Sequence, residues 1–185
     1  MYVKGVSIRS NIDYFKQHYP EYYQDFLNEL LPEVREVYEG KINIDDWYEI
    51  NKYYIPPIEI FAKVAGIPDP IELAKDIGRY SADVTLTGIY KVFLLVTSPH
   101  YLMKKSSSMM KTFYKDADAK VIEKGKNWFR LRIANFQGMS EILEHRILSF
   151  SQRALELTNC KNVTYTIEKS MAKGHDETIA FFEWE

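Results

Sequence analysis

The spacing of apolar positions divides the chain into a helical first part and a mixed second part. Tyr2-Val3-Lys4-Gly5-Val6-Ser7-Ile8 alternates roughly and predicts a short strand, after which Ser10 caps a helix from Asn11 to about His18. Pro20 suits the first turn of a second helix through Leu30 or Leu31, with Tyr23, Phe26, Leu27 and Leu30 on one face. Pro32 interrupts, and Gly40 closes the segment Glu33–Glu39. Asp46-Trp47-Tyr48-Glu49 has capping-box spacing, and the helix it starts must stop or kink at Pro56-Pro57. A further helix runs from Pro57 to Ala65, before Gly66. Asp69-Pro70-Ile71-Glu72 is the strongest helix start in the chain, and Leu73, Ile77 and Tyr80 line one face of the helix it begins. Gly88 to Val96 is a dense apolar run, either a buried strand or a buried helix; the spacing of Tyr90, Phe93 and Leu94 favours the helix. Thr97-Ser98-Pro99 then starts a helix reaching about Tyr114.

Beyond this point the texture changes. Ala119–Glu123 and Trp128–Ile133, separated around Gly125, read as a β-hairpin. Gly138 to Asn159 is a long amphipathic helix whose stripe is Met139, Leu143, Ile147, Phe150, Ala154 and Leu157. Asn162–Met171 and Glu177–Trp184 form a second hairpin around Gly174. The order predicts one α+β domain over residues 1–185. A short N-terminal strand and several helices pack on a C-terminal four-stranded antiparallel sheet, with one long helix between the two hairpins.

Composition narrows the classes. Aromatic residues make up 15% of the chain, which promises a large core with many hydroxyls and N–H groups in need of partners. One cysteine, Cys160, allows no internal disulfide and no multi-cysteine zinc or iron–sulfur site. The apolar run at Val92–Val96 is far short of the ~20 residues of a membrane span. With 24 basic and 26 acidic residues there is no bulk field for nucleic acid. The N-terminus reads straight into a strand with no secretory h-region, so a cytoplasmic protein is expected.

Three stretches carry a resemblance. Val3-Lys4-Gly5 leads directly into a helix. Leu73-Ala74-Lys75-Asp76-Ile77-Gly78-Arg79-Tyr80, followed by Gly88-Ile89-Tyr90, has the look of a helix bordering a ligand pocket. Val163–Glu168, Lys173-Gly174 and Phe181–Trp184 form a closing hairpin. Together they resemble the superfamily of haem nitric-oxide/oxygen-binding domains and 4-vinyl-reductase-type ligand-binding domains, and within it a haem-less, zinc-less bacterial branch of about this length. The resemblance implies a sensory domain that holds a small molecule between helices and sheet and signals through a partner protein. In 4-vinyl-reductase-type domains the hairpin often carries zinc-binding cysteines; Ser170 and Thr178 or Ile179 stand near those places, so no zinc is expected. In the haem domains a proximal His follows the pocket helices, and a Tyr-x-Ser-x-Arg motif holds the propionates. His100 lies in roughly the right region, but the strand end Ile133-Ala134-Asn135-Phe136-Gln137 lacks the motif. Ser149-Phe150-Ser151-Gln152-Arg153 matches it only by letter, within the long helix, where residues two apart do not face together.

The chemistry candidates are few. His100 reads either as an axial ligand or as a partly exposed residue of a helix's first turn. His145, beside Glu144 and Arg146 on the polar face of the long helix, is expected to be solvated. Asp45-Asp46 is explained by capping. Ser106-Ser107-Ser108 has no nucleophile context and reads as polar helix or a local break. Lys104-Lys105, Lys111 and Lys115 form a small basic face, open to an acidic partner or to solvent. The eight glycines are scattered, so there is no phosphate loop. Tyr80, Tyr90, Phe93, Phe113, Tyr114 and Trp128 border the region where the resembled superfamily has its pocket, and either line a cavity or fill a core. Met103, Met109 and Met110 suit both.

The expectation is thus a haem-independent binder of a small hydrophobic molecule, using these six aromatics and His100 and acting through a signalling partner. The alternatives are a haem-based gas sensor using His100, and a non-catalytic scaffold that forms a homodimer. No nucleophile–base pair, acid pair or metal cluster suggests an enzyme.

Overall fold

A computed structural model describes residues 1–87 and 98–185. The predicted helix at Gly88–Val96, with Tyr90 and Phe93, lies outside the described residues.

Strand β1 (Tyr2–Lys4) pairs antiparallel with β2 (Trp47–Glu49), Val3 opposite Tyr48. Helix α1 (Gly5–His18) starts immediately after β1. Two expectations are corrected here. The strand does not reach Ile8 and Ser10 is not a cap, because the Gly5 and Val6 amides leave the ladder to bond Asp46 and Ile44 carbonyls. Only glycine fits at this bend, since a Cβ on Gly5 would lie 2.2 Å from the Asn43 carbonyl oxygen. The capping-box stretch likewise starts no helix at Asp46: Trp47–Glu49 is strand, paired with β1, and the Asp46 carbonyl accepts from the Gly5 amide.

A 3₁₀ turn (Pro20–Tyr22) leads into α2 (Tyr23–Glu29), then α3 (Pro32–Tyr38), α4 (Ile50–Tyr53), α5 (Ile55–Val64) and α6 (Pro70–Thr87). As the sequence predicts, Asp69 caps α6, its carboxylate accepting from the Ile71 amide at 2.8 Å. Phe15, Phe26 and Phe61 meet at the centre of this half; Phe15 stacks on Phe61 with centroids 3.7 Å apart. The predicted helix Pro99–Tyr114 is two helices, α7 (Pro99–Lys104) and α8 (Ser106–Phe113). They break at Lys105, where the serine run begins. Ser98 caps α7 by accepting from the Tyr101 amide.

The four-stranded sheet is antiparallel throughout, in the order β3 (Asp118–Lys124), β4 (Trp128–Ala134), β6 (Thr178–Glu183), β5 (Thr164–Lys169). Alternation on β4 is clean: Phe129, Leu131 and Ile133 face inward, and Trp128, Arg130 and Arg132 face outward. On the outer face Arg130 bridges Glu123 of β3 and Glu168 of β5, and Arg132 pairs with Glu177. The α+β class, the two hairpins and the long intervening helix all agree with the sequence reading.

That helix, α9 (Glu141–Glu156), begins at the Ser140 cap, shorter than its predicted span. It packs against α6 and beneath the sheet. The expected polar face is therefore not solvated: Glu144 is 1% exposed and Arg146 4%. His145 is half-buried, its Nδ1 2.9 Å from the Tyr165 hydroxyl. α6 and α9 touch at Gly78, where a Cβ would lie 2.4 Å from the Arg146 carbonyl oxygen. Farther along, Arg79 grips Glu156 with both terminal nitrogens, and Arg153 reaches Asp83 and Glu156.

Half-burial gives His145 a measurable pH signature. Loss of hydration, with the charge of Lys75 adding to it, pushes the imidazole below its ordinary range despite the opposing carboxylates of Glu144, Glu141 and Glu72. A depressed histidine is neutral in both states above the unfolded value of 6.5, so its contribution is fully present there. As pH falls below that value the unfolded chain takes up a proton that the folded chain resists, and stability is lost. Urea melts at pH 7.5 and 5.0 are expected to show a larger acid loss in the parent protein than in His145→Gln. Equal losses would remove this role from His145.

Candidate functional site

Between the helical half and the sheet lies a cavity of about 80 Å³. One wall is apolar: Met103 of α7, Met109, Met110 and Phe113 of α8, Leu131 of β4 and Phe150 of α9. Hydroxyls also line the cavity, from Ser7 and Ser10 of α1, Ser81 and Thr85 of α6, Ser106 of α8 and Ser151 of α9. Tyr114 closes one side. Its position is set by backbone: it forms a bridge to Val3, and the Lys115 amide bonds the Tyr2 carbonyl. The first strand is thereby tied to the end of α8.

Arg146 of α9 also lines the cavity. Its Nη2 donates to Ser81 Oγ at 3.0 Å and to Asn11 Oδ1 at 3.2 Å, with the Ser7 carbonyl at 3.5 Å. Its Nη1 lies 3.5 Å from the Tyr114 hydroxyl, and its guanidinium carbon sits 4.9 Å above the Tyr54 ring. The Nε has no hydrogen-bond partner among the described residues. Ser81 gives its own proton to the Ile77 carbonyl, so Ser10, 2.7 Å away, donates to Ser81. This seam of Ser10, Asn11, Ser81 and Arg146 joins α1, α6 and α9 through buried polar groups.

The predicted site residues are only partly assembled. Phe113 and Tyr114 line the cavity, while Tyr90 and Phe93 lie outside the described residues. Tyr80 packs instead on Tyr14 and His18. Trp128 lies on the outer face of the sheet against Phe181 and Arg130. His100 does not point into the cavity; its Nε2 is 3.2 Å from the Lys126 carbonyl oxygen and its ring abuts Trp184. Among the described residues, no group of three or more His, Cys, Asp or Glu could hold a metal, and no helix is long and apolar enough to cross a membrane.

Sequence reasoning passed over Arg146 and the serines because it took one face of α9 as solvated. A signal was present: Leu148 and Leu155, seven apart and outside the main stripe, form a second apolar row, which a helix with one exposed face does not need. Ser170 and Thr178, flagged near possible cysteine positions, both donate to the buried Glu144 carboxylate, Ser170 at 2.7 Å. A sharp turn, with Gly174 at φ +91°, brings the two hydroxyls together.

No protein-family model matches the sequence, and no curated protein matches it either. Solved structures do. An H-NOX protein from K. algicida, in its Fe(II) unliganded form, superposes with a TM-score of 0.74 at 14% identity, covering 98% of this chain and 96% of that one. An H-NOX protein from S. oneidensis in the Fe(II)NO ligation state gives 0.72 at 12% identity, over 98% and 99%. A mutant of the T. tengcongensis H-NOX gives 0.73 at 10% identity, over 98% and 97%. The likeness supports the haem nitric-oxide/oxygen-binding side of the resemblance and gives no support to the 4-vinyl-reductase side. At these identities it speaks for architecture alone: the chain has the H-NOX fold.

Proposed function

We propose that this chain is a sensory ligand-binding domain that holds a small, largely apolar molecule in the cavity between its helices and its sheet, and reports occupancy to a partner protein. The observation that carries this reading is the cavity itself. It lies between the two halves of the fold, with a methionine and aromatic wall facing a few convergent polar groups. The α6–α9 seam is the element that ligand binding would bias. Native mass spectrometry of the purified protein tests the reading: a small co-purifying molecule is the expected result. A ligand-free chain whose melting temperature no small apolar compound raises would overturn it.

A second reading, a haem-based gas sensor using His100, is favoured by the structural neighbours, which are H-NOX proteins described in Fe(II) and Fe(II)NO states. The described residues do not fit a haem. The imidazole of His100 is turned to the Lys126 carbonyl, the strand end at Asn135 offers no hydroxyl–guanidinium set for propionates, and a porphyrin is many times larger than the cavity. The apolar-ligand reading is therefore preferred. Titration with haemin is expected to give no Soret band that His100→Ala abolishes; a band that His100→Ala does abolish would establish the haem reading instead.

A further inference from the structure

Five of the seven arginines hold carboxylates. Arg35 pairs with Glu39, Arg79 with Glu156, Arg130 with Glu123 and Glu168, Arg132 with Glu177, and Arg153 with Asp83 and Glu156. All of these are partly solvated. Arg146 is buried, where a lone charge is most costly, and yet no acidic side chain among the described residues pairs with it. Among the described residues its partners are neutral oxygens, two of them at 3.5 Å, the outer limit of a hydrogen bond, and its Nε has none. Arginine does not shed its proton to escape burial. The guanidinium lines a cavity that methionine and phenylalanine side chains also line.

We infer that the molecule this cavity takes is a short monocarboxylate, its carboxylate seated on Arg146 and its apolar chain among Met103, Met109, Met110 and Phe113. The inference rests on the cavity being the ligand site, as proposed above, and adds the chemical class of the ligand. A carboxylate supplies the charge the guanidinium lacks, in a planar geometry that matches the fork. Ser10, Ser81 and Ser151 also line the cavity, but their hydroxyl protons are given to other protein oxygens, so the guanidinium is the donor that meets the charged end. A single acidic group suffices, because Arg146 is the only arginine or lysine lining the cavity among the described residues. About 80 Å³ suits a short chain, and three methionines give it room to lengthen slightly.

Isothermal titration with sodium hexanoate and with hexan-1-ol, at equal ionic strength, tests the inference on the parent protein. Hexanoate is expected to bind about tenfold or more tightly than the alcohol, the difference made by a charge-assisted bond. Arg146→Met, which keeps the length of the stem without the charge, is expected to bring the two ligands to within about threefold. Arg146→Lys is expected to keep the preference for the acid in reduced form; thermal melts of both variants confirm folding. The parent comparison needs no variant, so a misfolded Arg146→Met leaves it decisive. Equal binding of acid and alcohol, or an unchanged preference in folded Arg146→Met, overturns the carboxylate assignment and leaves the apolar site standing. Binding of neither overturns both.

Discussion

Gly78→Ala is expected to lower stability by about 3 kcal/mol, a fall of roughly 6–12 °C in melting temperature for a chain of this size. The reason is where the added methyl would go. It would meet the Arg146 carbonyl oxygen at 2.4 Å, with the Arg146 carbonyl carbon and the Phe150 amide nitrogen at 3.2 Å. These are backbone atoms of α9, so no rotamer change relieves the contact; one helix must move off the other. In an ordinary exposed helix the same substitution would stabilise, since alanine is the better helix former. The sign of the effect therefore reports close helix packing. The displaced segment of α9 carries Arg146 and Phe150, so the cavity should change shape with it. Thermal melting followed by circular dichroism measures the effect. A melting temperature equal to or above the parent's would show that α6 and α9 do not approach as described.

Phe15→Ala is expected to cost about 3–5 kcal/mol. Phe15 is fully buried, stacked on Phe61 and edge-on to Phe26. Removing the ring takes away its own transfer from water and leaves a void whose walls are other rings, held by α2 and α5 and unable to collapse. Tyr38 closes the same cluster against Phe26, with its hydroxyl donating to the Tyr53 carbonyl. Because this cluster lies in the helical half and lines no part of the cavity, the variant should lose denaturant resistance while still binding ligand below its transition. Urea unfolding followed by tryptophan fluorescence reads the first quantity. A loss below about 1 kcal/mol would mean that the void closes by repacking.

The two variants separate two kinds of legibility. The aromatic core could be read from the chain: Tyr23, Phe26, Leu27 and Leu30 recur at helical spacing and are buried. Asp69, Pro70 and Glu72 announced a helix whose dihedral and capping demands are local. Trp128–Ile133 announced a hairpin strand, which β4 is. Such features depend on neighbours within a few residues, so a single sequence contains them.

The misreadings share the opposite property. Asp46–Glu49 has the letters of a capping box, yet its backbone is claimed by β1, more than forty residues away. Ser10 looks like a cap, but the backbone bends at Gly5, where Asn43 leaves no space for a side chain. His100 sits at a suggestive place in the chain, and the β3–β4 turn draws its ring toward Lys126. Tyr80 and Trp128 belong to the right segments and face other surfaces.

By itself, then, the chain determined the class and order of most of its elements, β2 excepted: helices first, then two hairpins around one long helix. Periodicity, proline, glycine and caps act locally, and they suffice for that. What tertiary structure alone decided is which sides of α9 meet water and which aromatics meet at the cavity. α9 carries enough charge to pass for a surface helix, but α6 and the sheet take both of its flanks. That packing turns Glu144 toward the hydroxyls of the closing hairpin and Arg146 toward the cavity, with no acid paired to it among the described residues. Burial is a property of the whole assembly, and it converts an ordinary arginine into a buried cation lining the cavity.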